Sequence, residues 1–178
     1  NVDNKKARFS AQSSGVPGTV AGLLYALEQY GSMSIPQVLK PSIQLASEGF
    51  KVNHDLSDSL RLSAKRLQKH KTSSDYFYKT DGDYYLPGDI LIQSDLSSTL
   101  KRISKQGSSG FYKGKTADLI VKQMQNSGGL ITLEDLANYK VVERQPVCGS
   151  FKENSICAMP PPSSGGVPQD LVKHTLVL

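Results

Sequence analysis

The sequence predicts an α+β fold that is mainly helical over residues 1–139 and rich in β-structure from residue 140 onward. In "GVPGTVAGLLYALEQYG", proline and glycine punctuate a helix whose apolar residues recur at i, i+3, i+4 and i+7: Val20, Leu23, Leu24 and Leu27. The segment "KVVERQPVCGSFKENSICAMPPP" is instead rich in β-formers, and it predicts a strand followed by a hairpin. At 178 residues, the chain suits one domain or part of a larger one.

More helices are predicted between Gly31 and residue 139. A helical unit containing Pro36 and Pro41 closes at Gly49, and "TLED" at 132–135 opens a short helix as a capping box with Asp in place of Glu. The periodic segments between them predict helices at about 55–69, 95–106 and 116–125.

A β-hairpin is predicted near residues 76–87, where "YFYKTDGDYYLPGD" carries aromatics on both sides of Asp81-Gly82. Calcium binding by Asp81, Asp83 and Asp89 is the alternative interpretation. Since the D-x-D-x-D-G loop and its distal Glu are absent, we favour a plain turn.

Composition and motifs argue against several function classes. The basic stretch "RLSAKRLQKHK" has no aromatics for base stacking, so a solvated helix face fits it better than a nucleic-acid site. "GKT" at 114–116 lacks the earlier glycine and the strand of a phosphate loop. The scattered histidines predict no metal site, and no apolar run approaches the ~20 residues of a membrane span.

The two cysteines lie in the predicted C-terminal hairpin. If Lys152 and Glu153 form a two-residue turn, Cys148 and Cys157 are directly opposed. Opposed residues have Cβ atoms ~4.5–5.5 Å apart, somewhat longer than the ~3.8 Å of a relaxed disulfide. We therefore expect buried free thiols, with a disulfide as the alternative.

The segment "MPPPSSGG" at 159–166 follows this hairpin. It can be a flexible linker, a rigid structural turn, or a wall of an active-site region. Three prolines stiffen the chain, which favours the rigid turn, and the glycines allow backbones to approach closely. If the segment borders a site, its residues are Ser163, Ser164, Gly165 and Gly166.

Six segments together resemble the γ-glutamyltransferase (γ-glutamyltranspeptidase) family, in particular the large subunit of its bacterial type. They occur in the family's order and at about its spacing: "GVPGTVAGL" (15–23), "PSIQLASEGF" (41–50), "FYKG" (111–114), "GGLITLEDLANY" (128–139), "ERQP" (143–146) and "MPPPSSGG" (159–166). Residues 167–178 follow the family pattern less closely, and we expect them to begin a helix.

The resemblance implies an interior fragment of an N-terminal-nucleophile hydrolase, an αββα sandwich. A precursor of this family cuts itself into large and small subunits, and the threonine freed at the small subunit's N-terminus attacks the γ-glutamyl bond of glutathione. The acyl group then passes to water, an amino acid or a peptide, without a cofactor. The threonine would lie outside this chain, so no catalytic residue is assigned here.

The resemblance also implies a heterodimer with the small subunit, γ-glutamyl substrates such as glutathione, and a periplasmic or secreted location. Two alternatives stay open: a non-catalytic helical interaction module on the same scaffold, and a related acylase acting on cephalosporin side chains or poly-γ-glutamate.

Overall fold

The computed structural model describes residues 10–151 and 153–163, which belong to two compact units on either side of the Tyr139–Lys140 bond. In the described part of the first unit, a 3₁₀ turn at Ala11–Ser13 precedes eight helices and two short strands. In chain order these are α1 (Thr19–Tyr30), α2 (Ile35–Glu48), β1 (Phe50–Lys51), α3 (His54–Leu67), α4 (Lys71–Phe77), β2 (Ile90–Leu91), α5 (Ser94–Gln106), α6 (Ser109–Tyr112), α7 (Gly114–Ser127) and α8 (Leu133–Ala137).

The predicted helices are confirmed, with shifts of a few residues at their ends. Gly31 and Gly49 follow α1 and α2 as expected, and Thr132 and Asp135 form the predicted capping box of α8. Pro36 lies in the first turn of α2, where its missing N–H leaves no helix bond unmade. Pro41, in contrast, lies inside α2, which continues through it to Glu48.

The hairpin predicted near 76–87 is wrong. A tight turn does form at Asp81-Gly82, because the Gly82 N–H donates to the Lys79 carbonyl and the Lys79 N–H to the Asp83 carbonyl, both at 2.8 Å. Its flanks do not pair as strands, however. Residues 71–77 form α4, and the buried Tyr78 donates its hydroxyl to the Leu60 carbonyl of α3 at 2.7 Å. Tertiary packing therefore overrides the β-propensity of the aromatics.

The small sheet of the first unit was not predicted from the sequence. β1 and β2 pair antiparallel, with Phe50 opposite Leu91. Gly49 enters this sheet with φ 88°, and a Cβ there would stand 2.8 Å from Cγ1 of Ile92. A two-residue strand is too short to show the alternation of apolar and polar residues from which strands are predicted.

A buried hydrophobic cluster of the first unit combines helix and loop residues. Its buried members are Tyr112, Ala117, Ile131 and Leu136. The partly buried residues packed against them include Val16, Val20, Ala21, Ile120 and Met124. Residues from 16–21, 111–124 and 131–136 therefore share one core, although they are up to 120 positions apart in the chain.

The described part of the second unit is a β-hairpin and the turn after it. β3 (Val147–Phe151) and β4 (Asn154–Ala158) pair antiparallel, with Phe151 opposite Asn154. The predicted hairpin is thus confirmed in register. The additional strand expected before it is not present, since residues 140–146 have no regular structure. The helix expected in residues 167–178 lies outside the described residues.

Candidate functional site

The segment singled out from the sequence begins as a closed turn. The Ser163 N–H donates to the Pro160 carbonyl at 3.1 Å, and the peptide bond between Pro161 and Pro162 is cis. Ser163 itself is exposed. The other candidate residues of this site, Ser164, Gly165 and Gly166, lie outside the described residues. The choice between a rigid turn and an active-site wall therefore stays a prediction.

The hairpin before this turn is cross-linked. Cys148 and Cys157 are directly opposed, as predicted, and a disulfide joins them. The expectation of buried free thiols is wrong on both counts, because both cysteines are also exposed. Their Cα atoms are only 4.0 Å apart. This distance is close to that of non-hydrogen-bonded pairs in antiparallel strands, whose opposed side chains are closer together than those of hydrogen-bonded pairs.

In the first unit, three of the segments that carry the family resemblance meet at Tyr112. Its hydroxyl donates to the Pro17 carbonyl at 2.6 Å and accepts from the Ala21 N–H at 3.2 Å. Its ring stacks on Tyr139, with centroids 5.6 Å apart and planes within 7°. Partial burial raises the pKa of the Tyr112 phenol, so it stays a neutral donor. Tyr112 thus joins these three segments of the chain, and this structural role was not predicted from the sequence.

Gly18 allows Tyr139 to lie against the start of α1. A Cβ on Gly18 would stand 2.9 Å from Cζ of Tyr139 and closer still to its hydroxyl. The neighbour that requires this glycine is therefore a side chain. Gly22, one turn further along the same helix, has nothing within 4 Å of such a Cβ.

The "GKT" threonine holds two helices together and does not face a ligand cavity. Thr116 is 5% exposed; its hydroxyl donates to the Gly110 carbonyl and accepts from Arg102 Nε, both at 2.8 Å. Arg102 also donates to Thr99 Oγ1 at 2.8 Å. The hydroxyl that a phosphate loop would direct to a metal ion is here buried, and it donates one hydrogen bond and accepts another within the protein.

The three aspartates considered for calcium organise the loop between α4 and β2. Asp81 accepts from the Asp83 N–H at 3.0 Å, and Asp89 accepts from the Leu86 N–H at 2.8 Å. Asp89 also pairs with Lys79 at 2.8 Å. The hydrogen bond from Lys79, followed by that from the Leu86 N–H, lowers the pKa of the Asp89 carboxyl. Within the described residues, no group of acidic, histidine or cysteine side chains could hold a metal ion.

An open groove runs between α1 and α2. It encloses about 400 Å³ and is lined mainly by apolar side chains: Leu23, Leu24, Leu27, Tyr30, Ile35, Val38 and Leu39. An adjoining hollow of about 440 Å³ adds Glu28, Met33, Ser34 and Ser108. Because the groove brings no nucleophile and base together, its lining suits packing better than acyl chemistry.

Comparison with known proteins supports the family resemblance of the sequence. The family model described as gamma-glutamyltranspeptidase matches residues 1–174. The chain is 45% identical over 168 residues to the Escherichia coli protein named glutathione hydrolase proenzyme; the match covers 94% of this chain and 29% of that protein. It is 42% identical over 151 residues to the Bacillus anthracis capsule biosynthesis protein CapD proenzyme, covering 85% of this chain and 27% of that one.

Among solved structures, Helicobacter pylori gamma-glutamyltranspeptidase superposes with a TM-score of 0.89 at 42% identity, over 93% of this chain and 48% of that one. The α+β arrangement is therefore that of a part of an N-terminal-nucleophile hydrolase large subunit. The chain spans less than a third of the length of the curated relatives named above. On the evidence of a family match over almost its entire length, the chain belongs to the gamma-glutamyltranspeptidase family.

Proposed function

We propose that this chain is the large-subunit region of a γ-glutamyltransferase that cleaves the γ-glutamyl bond of glutathione. The acyl group passes to water or to an amino acid or peptide, and the threonine nucleophile lies outside this chain. The observation that carries the proposal is the match of residues 1–174 to the family, together with 45% identity to a protein named glutathione hydrolase proenzyme.

The chemistry fits a division of labour between this chain and the rest of the precursor. A threonine at a new N-terminus carries its own base, since its α-amino group can take the hydroxyl proton. Such a reaction needs from this chain a rigid support and no cofactor. The hydrogen bonds of Tyr112 supply rigidity because they join segments that are far apart in the sequence, and the Thr116–Arg102 bond adds to it by joining α7 to α5.

We assign Ser163, Ser164, Gly165 and Gly166 to the neighbourhood of the substrate site. The support is the turn at Pro160–Ser163, which fixes the direction in which the segment leaves β4. Replacing each serine by alanine in the full-length enzyme tests the assignment. Activity lost at an unchanged melting temperature supports a wall of the site, whereas unchanged activity supports a purely structural turn.

The partner in this proposal is the small subunit cut from the same precursor, and the location is periplasmic or secreted. The disulfide supports the location, because disulfides persist in oxidising compartments and are rare in the cytosol. Within the described residues, no helix is both long and apolar enough to cross a bilayer.

The main alternatives to this proposal differ from it in the substrate on which the enzyme acts. The identities to the glutathione hydrolase and to CapD are close, 45% and 42%, so similarity over this region alone does not distinguish their substrates. An acylase acting on poly-γ-glutamate or cephalosporin side chains, and a non-catalytic interaction module, are therefore the alternatives to test.

The full-length precursor decides among these functions. We expect the purified protein to separate into two chains, with threonine at the N-terminus of the smaller one, and to release p-nitroaniline from γ-glutamyl-p-nitroanilide. Edman sequencing and absorbance measure the two results. Cleavage with turnover of poly-γ-glutamate or a cephalosporin substrate, but not of glutathione, would support an acylase, and an uncleaved, inactive protein would support the interaction module.

A further inference from the structure

Helix α1 carries apolar side chains on two sides, and only one side meets the core of the first unit. Val20 and Ala21 pack against the buried cluster of that unit. Leu23, Ala26 and Tyr30 share another side, because they are three or four residues apart, and they line the groove toward α2. All three are exposed, and no residue of α1 is buried. A helix that is apolar on more than one side is typical of a protein interior.

Helix α2 presents a second apolar wall to the same groove. It packs against α5 and buries Ala46 there. Val38 and Leu45 share a different face, because they are seven residues apart, and both are exposed. The wall of the groove on this side is formed by Ile35, Val38 and Leu39. The contacts within the first unit therefore leave an apolar face of each helix uncovered.

The hollow beside the groove adds a charge to this surface. Glu28 lines it and is exposed, and no ion pair of the described residues involves Glu28. The described lining of the groove and the hollow contains no lysine, arginine or histidine. A second copy that offered the same face would bury the apolar rim but bring no cation to Glu28. Charge complementarity therefore favours an occupant of different sequence that carries its own basic side chain.

The length of the relatives indicates where such an occupant comes from. The match covers 29% of the Escherichia coli proenzyme and 48% of the superposed Helicobacter pylori chain, so much of a related precursor lies outside the matched region. We propose that a segment of the same precursor, from outside residues 1–178, covers the α1–α2 groove with an apolar face and pairs a Lys or Arg with Glu28. The inference rests on the proposed function only in taking this chain as part of such a precursor.

Photo-crosslinking in the full-length precursor identifies the occupant. p-Benzoylphenylalanine in place of Tyr30 keeps an aromatic ring on the rim of the groove and, on irradiation, bonds to a C–H group in contact with it. We expect mass spectrometry to map the cross-link to a peptide of the same precursor outside residues 1–178. In a mixture of ¹⁴N- and ¹⁵N-labelled protein, both linked peptides should carry the same isotope, because they come from one precursor molecule.

The same probe in place of Val38, on the opposite wall, is the matched control and should reach the same segment. Linked peptides of mixed isotope would identify a second copy, and a peptide of another protein would identify a foreign partner. A cross-link confined to residues 1–178, or no cross-link from either position, would show that no other part of the precursor covers the groove. Each of these results would overturn the inference, and either probe alone gives the answer where the other variant fails to fold.

The melting temperature of the full-length protein tests the apolar contact without a probe. Leu23→Gln should lower it by about 3 °C or more, because a covered site would have to bury an amide among apolar groups. Leu23→Met keeps the volume and the apolar character of the side chain and should stay close to wild type. An unchanged melting temperature of Leu23→Gln would mean that Leu23 faces water in the complete protein, contrary to the inference.

Glu28→Gln tests the charged contact in the same protein. It should lower the melting temperature by about 1 °C or more, because the basic side chain opposite loses its counter-charge, and no loss would refute the pairing. None of these measurements depends on turnover. A precursor that forms the cross-link but cleaves no γ-glutamyl substrate would contradict the proposed function and support this inference, whereas an active enzyme without the cross-link would do the reverse.

Discussion

At the scale of single residues, glycine serves opposite purposes in two helices of this protein. Gly110 in α6 lies where the backbone of α5 passes closely, and a Cβ there would stand 2.5 Å from the Arg102 carbonyl carbon and 2.8 Å from the Ile103 nitrogen. Gly22 in α1 faces open space. The first glycine is required by packing, whereas the second only weakens its helix.

Alanine at these two positions should therefore change stability in opposite directions. Gly110→Ala should lower the free energy of unfolding by about 1–3 kcal/mol, because backbone atoms cannot move aside as a side chain can. Gly22→Ala should raise it by up to about 1 kcal/mol, the helix-propensity gain. Urea denaturation of the two variants measures both; two shifts of the same sign would contradict the explanation.

Thr116 gives a second prediction at this scale. Thr116→Val keeps the shape of the side chain but leaves the Gly110 carbonyl and Arg102 Nε without the partner they have now. A buried polar group left without a partner costs about 1–3 kcal/mol. Thr116→Ser retains the hydroxyl and is the matched control. Thermal unfolding should rank wild type and Thr116→Ser above Thr116→Val, and equal stability of all three would refute the structural role.

At the scale of elements, the sequence located those helices whose signals are local. Asn53 accepts from the Leu56 N–H at 2.9 Å at the start of α3, and Thr132 and Asp135 cap the start of α8. Residues a few positions apart therefore specify where each of these two helices begins. The loop before β2 has local hydrogen bonds at its Asp81-Gly82 turn, but its position depends also on distant partners. Ser57 donates to the Tyr85 carbonyl, and Gln68 donates to the Gly82 carbonyl.

The candidate site follows the same rule. The opposed cysteines could be predicted because a two-residue turn sets the pairing of every residue in the hairpin. Whether a disulfide joins them could not, since the distance between opposed residues differs between the two kinds of antiparallel pair, and the pairing says nothing of the redox compartment. Tyr112 escaped notice because its partners, Pro17 and Ala21, lie 95 and 91 positions away.

The loop between α4 and β2 should respond to acid through Asp89. Its pKa is lower in the folded protein than in the unfolded chain, chiefly through Lys79, so the unfolded state binds the proton more readily. The stabilisation by this pair is therefore complete above the unfolded pKa near 3.8 and is lost as pH falls through the folded value.

We accordingly expect Asp89→Asn to melt below wild type at neutral pH and the difference to shrink as pH falls below about 4. Asp118→Asn, at an exposed position of α7, is the matched control and should follow wild type throughout. Melting curves from pH 7 to pH 2.5 measure the difference. A gap between Asp89→Asn and wild type that widens toward acid would show that the sign is wrong.

At the scale of the whole molecule, the α1–α2 groove leaves much apolar surface in water. Leu23 is 67% exposed and Tyr30 82% exposed, both on its rim. Exposed patches of this kind mark surfaces that other protein covers. We expect the chain of 178 residues alone to self-associate, as measured by light scattering, and Leu23→Gln/Tyr30→Gln to reduce that association. Leu62→Gln on α3, outside the groove, is the control, and a compact, stable monomer would contradict the expectation.

The same chain alone should not cleave a γ-glutamyl substrate at any pH. Acyl transfer requires a nucleophile with a base in reach and donors aimed at the developing oxyanion. The hydroxyls of the buried residues Thr116 and Tyr112 serve structure: Thr116 bonds to Gly110, and Tyr112 bonds to Pro17. The sequence has no G-x-S-x-G elbow, and its cysteines form a disulfide.

Release of p-nitroaniline from γ-glutamyl-p-nitroanilide should therefore stay at the rate of buffer between pH 5 and 10, a range in which we expect the cleaved full-length precursor to be active. The cleaved precursor is the positive control. Turnover by the purified 178-residue chain above that of a mock preparation would show that it carries a nucleophile of its own, and that the division of labour proposed between the two subunits is wrong.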